Sequence, residues 1–265
     1  MARSTPSPNM HSRSNLVTVI SVACVAYALA SIAHELIGHG LASLLTGVKI
    51  VSFNTIFMQN EGGNHIVEAG GPAGNFIFGG TALIRFIHMK GWSPLRYFLW
   101  LFSAINLMTA AGYMFYSPIT DWGDWAAMIK GLEPAWVWRT VCTVAGLFLF
   151  AVILRTHIRT MIKVVKEGTA GRDDLWRMAL SAYLTCGMLA MASGALNPTG
   201  RPALVTSAVT SFLGLSGLLV VPSNVLERTP NDIHGNTLPF SWGWTTAGVV
   251  AAAIFIFVLG PGIKF

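Results

Sequence analysis

The chain has 265 residues, 53% of them apolar and only 11% charged, and its mean hydropathy is +0.59. A water-facing domain carries about 25% charged residues, so an ordinary soluble fold is excluded and much of this surface must face lipid. The net charge of +6 follows membrane topology rather than a nucleic-acid partner, and the three cysteines, Cys24, Cys142 and Cys186, sit in apolar runs without disulfide or metal spacing.

Residues 1–14 are polar and Ser/Pro-rich, and are expected to be a disordered cytoplasmic tail. A helix that crosses the hydrocarbon core needs about 20 apolar residues. The first such run starts near Leu16 and continues to about Gly47 as one long helix, apolar except for a polar cluster in its second half. Val48 to Gln59 is rich in β-branched and aromatic residues and precedes a turn-like Asn60–Asn64 cluster, which predicts a short strand or hairpin near the membrane surface. Further spans are expected at Ala73–His88, after Pro72, and at Leu95–Tyr116. A polar break comes next at Ser117–Trp125, then spans at Ala135–Leu154, Leu175–Leu196, Ala203–Val221 and Trp242–Leu259. The expected fold is an all-α polytopic membrane protein with six to seven transmembrane helices and a β segment after the first. Basic residues concentrate in alternate connections, above all in the 155–177 stretch, read as a cytoplasmic linker; this places the N-terminus in the cytoplasm and the C-terminus outside.

The polar cluster reads His34-Glu35-Leu36-Ile37-Gly38-His39. Taken as an H-E-x-x-H element, it sets two histidines one turn apart on one helix face, where both imidazoles reach a single metal ion. A glutamate beside the first histidine contacts a metal-bound water without ligating the ion. Zinc lowers the pKa of that water towards about 7, so Glu35 can take its proton near neutrality, and the hydroxide attacks a polarised carbonyl. Ionisable residues inside a membrane span are costly unless paired or metal-bound. A catalytic zinc site usually has three protein ligands. The third has to come from Glu61, Glu68, Asp121, Asp124 or Glu133, with Asp121 and Asp124 favoured because they flank the break between apolar segments.

These residues resemble the site-2 protease family of intramembrane zinc metalloproteases. The likeness rests on HELIGHG within a span, the β-like segment after it, Gly70-Gly71-Pro72-Ala73-Gly74-Asn75 opening the next span, and a later span with Asn106 and an Asp-containing turn. It covers about residues 15 to 130. That turn departs from the family's Asn-x-x-Pro and Asp-Gly pattern: no proline follows Asn106, and Gly123-Asp124-Trp125 is the nearest equivalent. The resemblance implies a three-span catalytic membrane core at 15–130, followed at 131–265 by additional transmembrane helices. It implies Glu35 as general base, His34, His39 and Asp124 as zinc ligands with Asp121 as the alternative third, and Asn75 and Asn106 binding substrate or the oxyanion. The substrate would be a transmembrane or membrane-proximal segment of another protein, held by edge addition to the 48–59 strand. Two other functions fit the same composition: a transporter with a metal or proton site, and a non-cutting relative that binds membrane proteins.

Overall fold

A computed structural model describes residues 13–265. Most of the expected tail, residues 1–12, lies outside the described residues. Ser14 is tied down: its N–H donates to the Asp174 carboxylate, and its hydroxyl accepts from the Leu238 N–H at 3.0 Å.

The first long helix begins after Asn15, whose side chain caps the Thr18 N–H, and ends at left-handed Gly47. It has three parts: α1 (Leu16–Ile32), a π-helical turn (Ala33–His39) and α2 (Gly40–Thr46). The β segment forms as the hairpin β1 (Lys49–Phe53) and β2 (Met58–Glu61), with Asn54 Oδ1 accepting from the Ile56 and Phe57 N–H groups in the turn. A third strand, β3 (Ile263–Lys264), pairs antiparallel with the other side of β1, giving the order β2-β1-β3. The hairpin expectation holds, and the chain's own β3 fills the second edge of β1 beside Ser52 and Phe53. The outer side of β2 is an unpaired edge of the sheet.

Among the described residues, seven long helical stretches run in succession between two ends of the bundle. After the first come α3 (His65–His88), α4 (Pro94–Thr120), the short α5 (Asp124–Ile129) and α6 (Ala135–Lys166). Then come α7 (Leu175–Ala195), α8 (Arg201–Gly214) with α9 (Gly217–Glu227), and α10 (Trp242–Ala253), which runs on as a π turn to Leu259. Six of these are long and apolar enough to cross a membrane: Leu16–Thr46, Pro94–Thr120, Ala135–Lys166, Leu175–Ala195, Arg201–Glu227 and Trp242–Leu259. α3 is outside this set because glycines dilute its apolar content. One end gathers residues 14, 174, 177 and 238, linked by Arg177 to Ser14 O and Asn15 N to Leu238 O. The other end carries the sheet, with Thr55 bonded to Ser193, and Asn197 to Gly260 O.

Three boundaries differ from the sequence expectation. α3 starts at His65, eight residues before Ala73, because Asn64 accepts from the Ile66 and Val67 N–H groups as an N-cap. Pro72 therefore lies inside the helix rather than before it. The 155–177 stretch is not a linker throughout: α6 continues to Lys166, leaving only 167–174 between helices. The break after α4 is also short, just Asp121–Gly123, with Asp121 and Gly123 both at positive φ. A single buried cluster draws on both sides of residue 130, including Val22, Phe86, Leu101, Ile105, Ile158, Cys186 and Leu218.

α3 approaches the π turn through glycines. A Cβ on Gly38 would stand 2.5 Å from Gly70 O, one on Gly70 2.5 Å from Gly38 O, and one on Gly74 2.5 Å from Ala33 O. Between apolar helices in lipid, such small residues let backbones meet and supply the packing that water would otherwise drive. Alanine is worth about 1 kcal/mol more than glycine inside a helix, so Gly80→Ala, with open space around it, is expected to be neutral or stabilising. Gly74→Ala reverses that sign: overpacking costs about 1–3 kcal/mol, and thermal unfolding of the two purified variants reads the difference.

Candidate metal centre

The H-E-x-x-H reading does not survive the residue count. His34 and His39 are five apart, not four, so the element is H-E-x-x-x-H. On a regular α-helix five residues rotate the chain about 500°, leaving the two imidazoles about 140° apart. The π-helical turn removes that mismatch. Its ladder runs from i to i+5, as in the Gly40 N–H donating to Glu35 O, so residues five apart stack one above the other. The two rings accordingly lie with centroids 5.0 Å apart and planes at 81°. The extra residue and the π turn are one feature: the insertion is absorbed where the ligands need a shared face. At about 1.5 Å per residue, His34 lies about 27 Å along the helix from Leu16, with roughly 18 Å remaining to Thr46.

Asp124 reaches both rings from the far side of the break. Ser117 joins α4 to α5, its hydroxyl donating to Trp122 O at 2.6 Å and accepting from the Ala126 N–H at 2.9 Å. Gly123 has φ 91°, and any Cβ there would collide with the Tyr113 hydroxyl, so glycine is required on both counts. Asp124 Oδ2 then lies 2.9 Å from His34 Nε2 and 3.4 Å from His39 Nε2.

The tautomers are set by the hydrogen bonds. His39 Nδ1 is 2.7 Å from Val67 O, an atom that can only accept, so His39 Nδ1 carries hydrogen. Asn75 Nδ2 donates to Asn106 O at 3.4 Å, which turns Asn75 Oδ1 towards His34 Nδ1 at 2.8 Å, so His34 Nδ1 also carries hydrogen. Neutral rings held this way present lone pairs from both Nε2 atoms to a carboxylate oxygen. Three lone pairs cannot face one another without positive charge between them, whether two protons or one metal ion. The donor atoms of His34, His39 and Asp124 all lie within 4.8 Å of one another and could hold such an ion. Tetrahedral ligands at about 2.1 Å from zinc are about 3.4 Å apart, close to the spacings found. Histidines that ligate metals commonly donate their second N–H to a carbonyl or carboxylate in this manner. The residues therefore fit a divalent ion of the N/O-ligated kind, without fixing which metal.

Most of the remaining sequence candidates stand apart from the ligands. Asp121 is not a ligand here: it ends α4 in a left-handed conformation, and its exposed carboxylate pairs with Arg139 at 2.5 Å. It therefore neither shares a face with Asp124 nor caps the N-terminus of α5. Glu61 pairs with Lys49, and Glu133 accepts from the Ala135 N–H. Asn75 is buried and engaged at both ends of its amide, so it orients His34 rather than standing free for a substrate. Asn106 is fully buried and donates to Phe102 O at 2.7 Å, and its backbone carbonyl holds Asn75. Glu35 is buried beside the ligands, with Oε1 4.0 Å from His34 Nε2 and Oε2 without a partner.

Glu35, His34, Asn75 and Asp124 line a cavity of about 440 Å³ together with apolar residues including Ile105, Phe150 and Leu213 and with Thr55 and Ile56 of the hairpin turn. Gly71 is a site residue that sequence reasoning counts only as part of the element opening the second span: a Cβ there would collide with the Nε2 atoms of both His39 and His34. The paired glycines before Pro72 are the signal that could have found it. No protein-family model, curated protein or solved structure matches this chain.

Metal titration of the purified protein is expected to show one tight divalent site, abolished in His34→Ala, His39→Ala and Asp124→Ala and retained in Asp121→Ala. Gly71→Ala, which removes no ligand but puts a methyl where the Nε2 atoms converge, is expected to lose the metal as well. Asn75→Ala is expected to weaken binding about 10–100-fold, the usual cost of losing a group that orients a ligand.

Proposed function

We propose that this protein is a multi-pass membrane metalloprotease, of the kind the site-2 proteases represent, hydrolysing peptide bonds in or near transmembrane segments of other membrane proteins. The observation that carries the reading is a buried, unpartnered Glu35 carboxylate oxygen next to three converging ligand atoms and an apolar-walled cavity. A transporter site needs the ligands but has no use for an unpaired carboxylate held beside them. The element departs from the family's by one residue, and the π turn supplies the compensation.

In this reading the six long apolar helices and α3 cross the bilayer, and the end bearing residues 14, 174 and 238 faces the cytoplasm, where basic residues concentrate. A zinc ion bound by His34, His39 and Asp124 would supply a Lewis acid to polarise the scissile carbonyl and acidify a water. Glu35 Oε2 accepts the water's proton and returns it to the leaving amine, so bond formation to carbon and release of the amine are joined through one carboxyl group. Asn75, fixed by Asn106 O, keeps the His34 ring from turning as charge builds. The substrate enters as an unwound segment, because a helix keeps its carbonyls in hydrogen bonds. Thr55 and Ile56 bring the hairpin turn into the cavity lining, with the outer side of β2 free to pair with an extended peptide.

Mapping of newly formed N-termini in the membrane proteins of cells making wild-type or Glu35→Gln protein tests this. Cleavage is expected to fall about 10²–10⁴-fold in the variant while its metal content is unchanged. Identical sets of termini in the two samples would overturn the proposal.

A further inference from the structure

At the opposite end of the bundle from the metal centre, α6 and α9 enclose a cleft of about 520 Å³. Its lining includes three arginines, Arg155 and Arg159 from α6 and Arg228 just after α9, together with Asn224. The same lining includes the apolar side chains of Leu154, Ile158 and Val220. Arg228 Nη2 donates to Asn224 Oδ1 at 3.3 Å, which holds the arginine over the cleft. No ion pair among the described residues includes any of the three arginines.

That arrangement is unfavourable on its own. Arg155 and Arg159 are four apart on one helix face, where like charges repel, and Arg228 brings a third positive charge to the same opening. A neighbouring carboxylate would relieve the repulsion, and none pairs there. The apolar run of α6 occupies residues 135–154, close to the roughly 20 residues that match a hydrocarbon core, so Arg155 begins where headgroups begin. The cleft thus combines forked donors suited to phosphate oxygens with apolar side chains in one lining.

We propose that this cleft is a binding site for an anionic phospholipid, with the phosphate held by Arg155, Arg159 and Arg228 and the first acyl carbons lying on Leu154, Ile158 and Val220. Basic pockets between membrane helices recognise acidic headgroups by this same combination. The inference rests on the membrane placement proposed for the helices but not on hydrolysis, so its failure leaves the peptidase proposal standing, and the converse also holds.

Native mass spectrometry of the full chain, released from detergent with phosphatidylglycerol, phosphatidylcholine or inorganic phosphate added, tests it. The wild type is expected to retain phosphatidylglycerol at least tenfold over phosphatidylcholine, and R155Q/R159Q/R228Q to lose that preference. Lys163→Gln with Lys166→Gln removes charge from the same helix outside the cleft and is expected to preserve it. Should the triple variant fail to fold, Arg159→Lys, which keeps the charge and loses the fork, is expected to weaken retention several-fold. Equal retention of the two lipids by the wild type, or equal loss in the lysine variant, would overturn the site, and tight capture of inorganic phosphate alone would replace the lipid with a free anion.

Discussion

Two imidazole nitrogens and a carboxylate oxygen face one another across a few ångströms with their lone pairs inward, and the rest of the site is arranged to keep them so. The orientation is forced from behind. Val67 O holds His39, and the chain from Asn106 O through the Asn75 amide holds His34. Neither ring can turn its hydrogen into the centre without breaking a buried hydrogen bond, which costs about 1–3 kcal/mol. Positive charge between the ligands is what makes the arrangement favourable.

That constraint explains features that look unrelated in the chain. The π turn exists because His34 and His39 are separated by one residue too many for a regular helix. Glycines 38, 70, 71 and 74 exist because α3 must lie against that turn closely enough for the Val67 carbonyl and the Asn75 amide to reach the rings. Gly71 does both jobs, since a side chain there would fill the space the ligands share. On the other side, Gly123 and Ser117 swing the chain sharply out of α4 so that the first residue of α5 points back into the bundle. Three elements distant in sequence are thereby bent towards one point.

Much of this is legible in the sequence, and the reasons differ from element to element. The long apolar runs set the helices, because length and hydropathy alone decide whether a segment can cross hydrocarbon. His34, Glu35 and His39 stand out because ionisable groups are rare in such a run. The Gly123-Asp124 pair points to the third ligand. The sequence motif, however, suggests a four-residue histidine spacing that the chain does not have, and only the backbone shows how five residues serve. α3 starts earlier than the sequence predicts because Pro72 reads as a boundary, whereas the Asn64 cap is the stronger signal. β3 is invisible: two residues pairing with a strand more than 200 positions away leave no local pattern. Asp121 and Asp124 look nearly equivalent until the positive φ of Asp121 turns its carboxylate outward to Arg139.

The central claim is a divalent ion shared by two histidines of one π turn and an aspartate from another helix. X-ray absorption spectroscopy of the purified, metal-loaded protein tests it most directly. The account requires one ion per chain with two imidazole nitrogens and at least one carboxylate oxygen at about 2.0–2.2 Å, and the oxygen contribution must change in Asp124→Ala. A spectrum with no imidazole scattering, or one left unaltered by the Asp124 substitution, would contradict it.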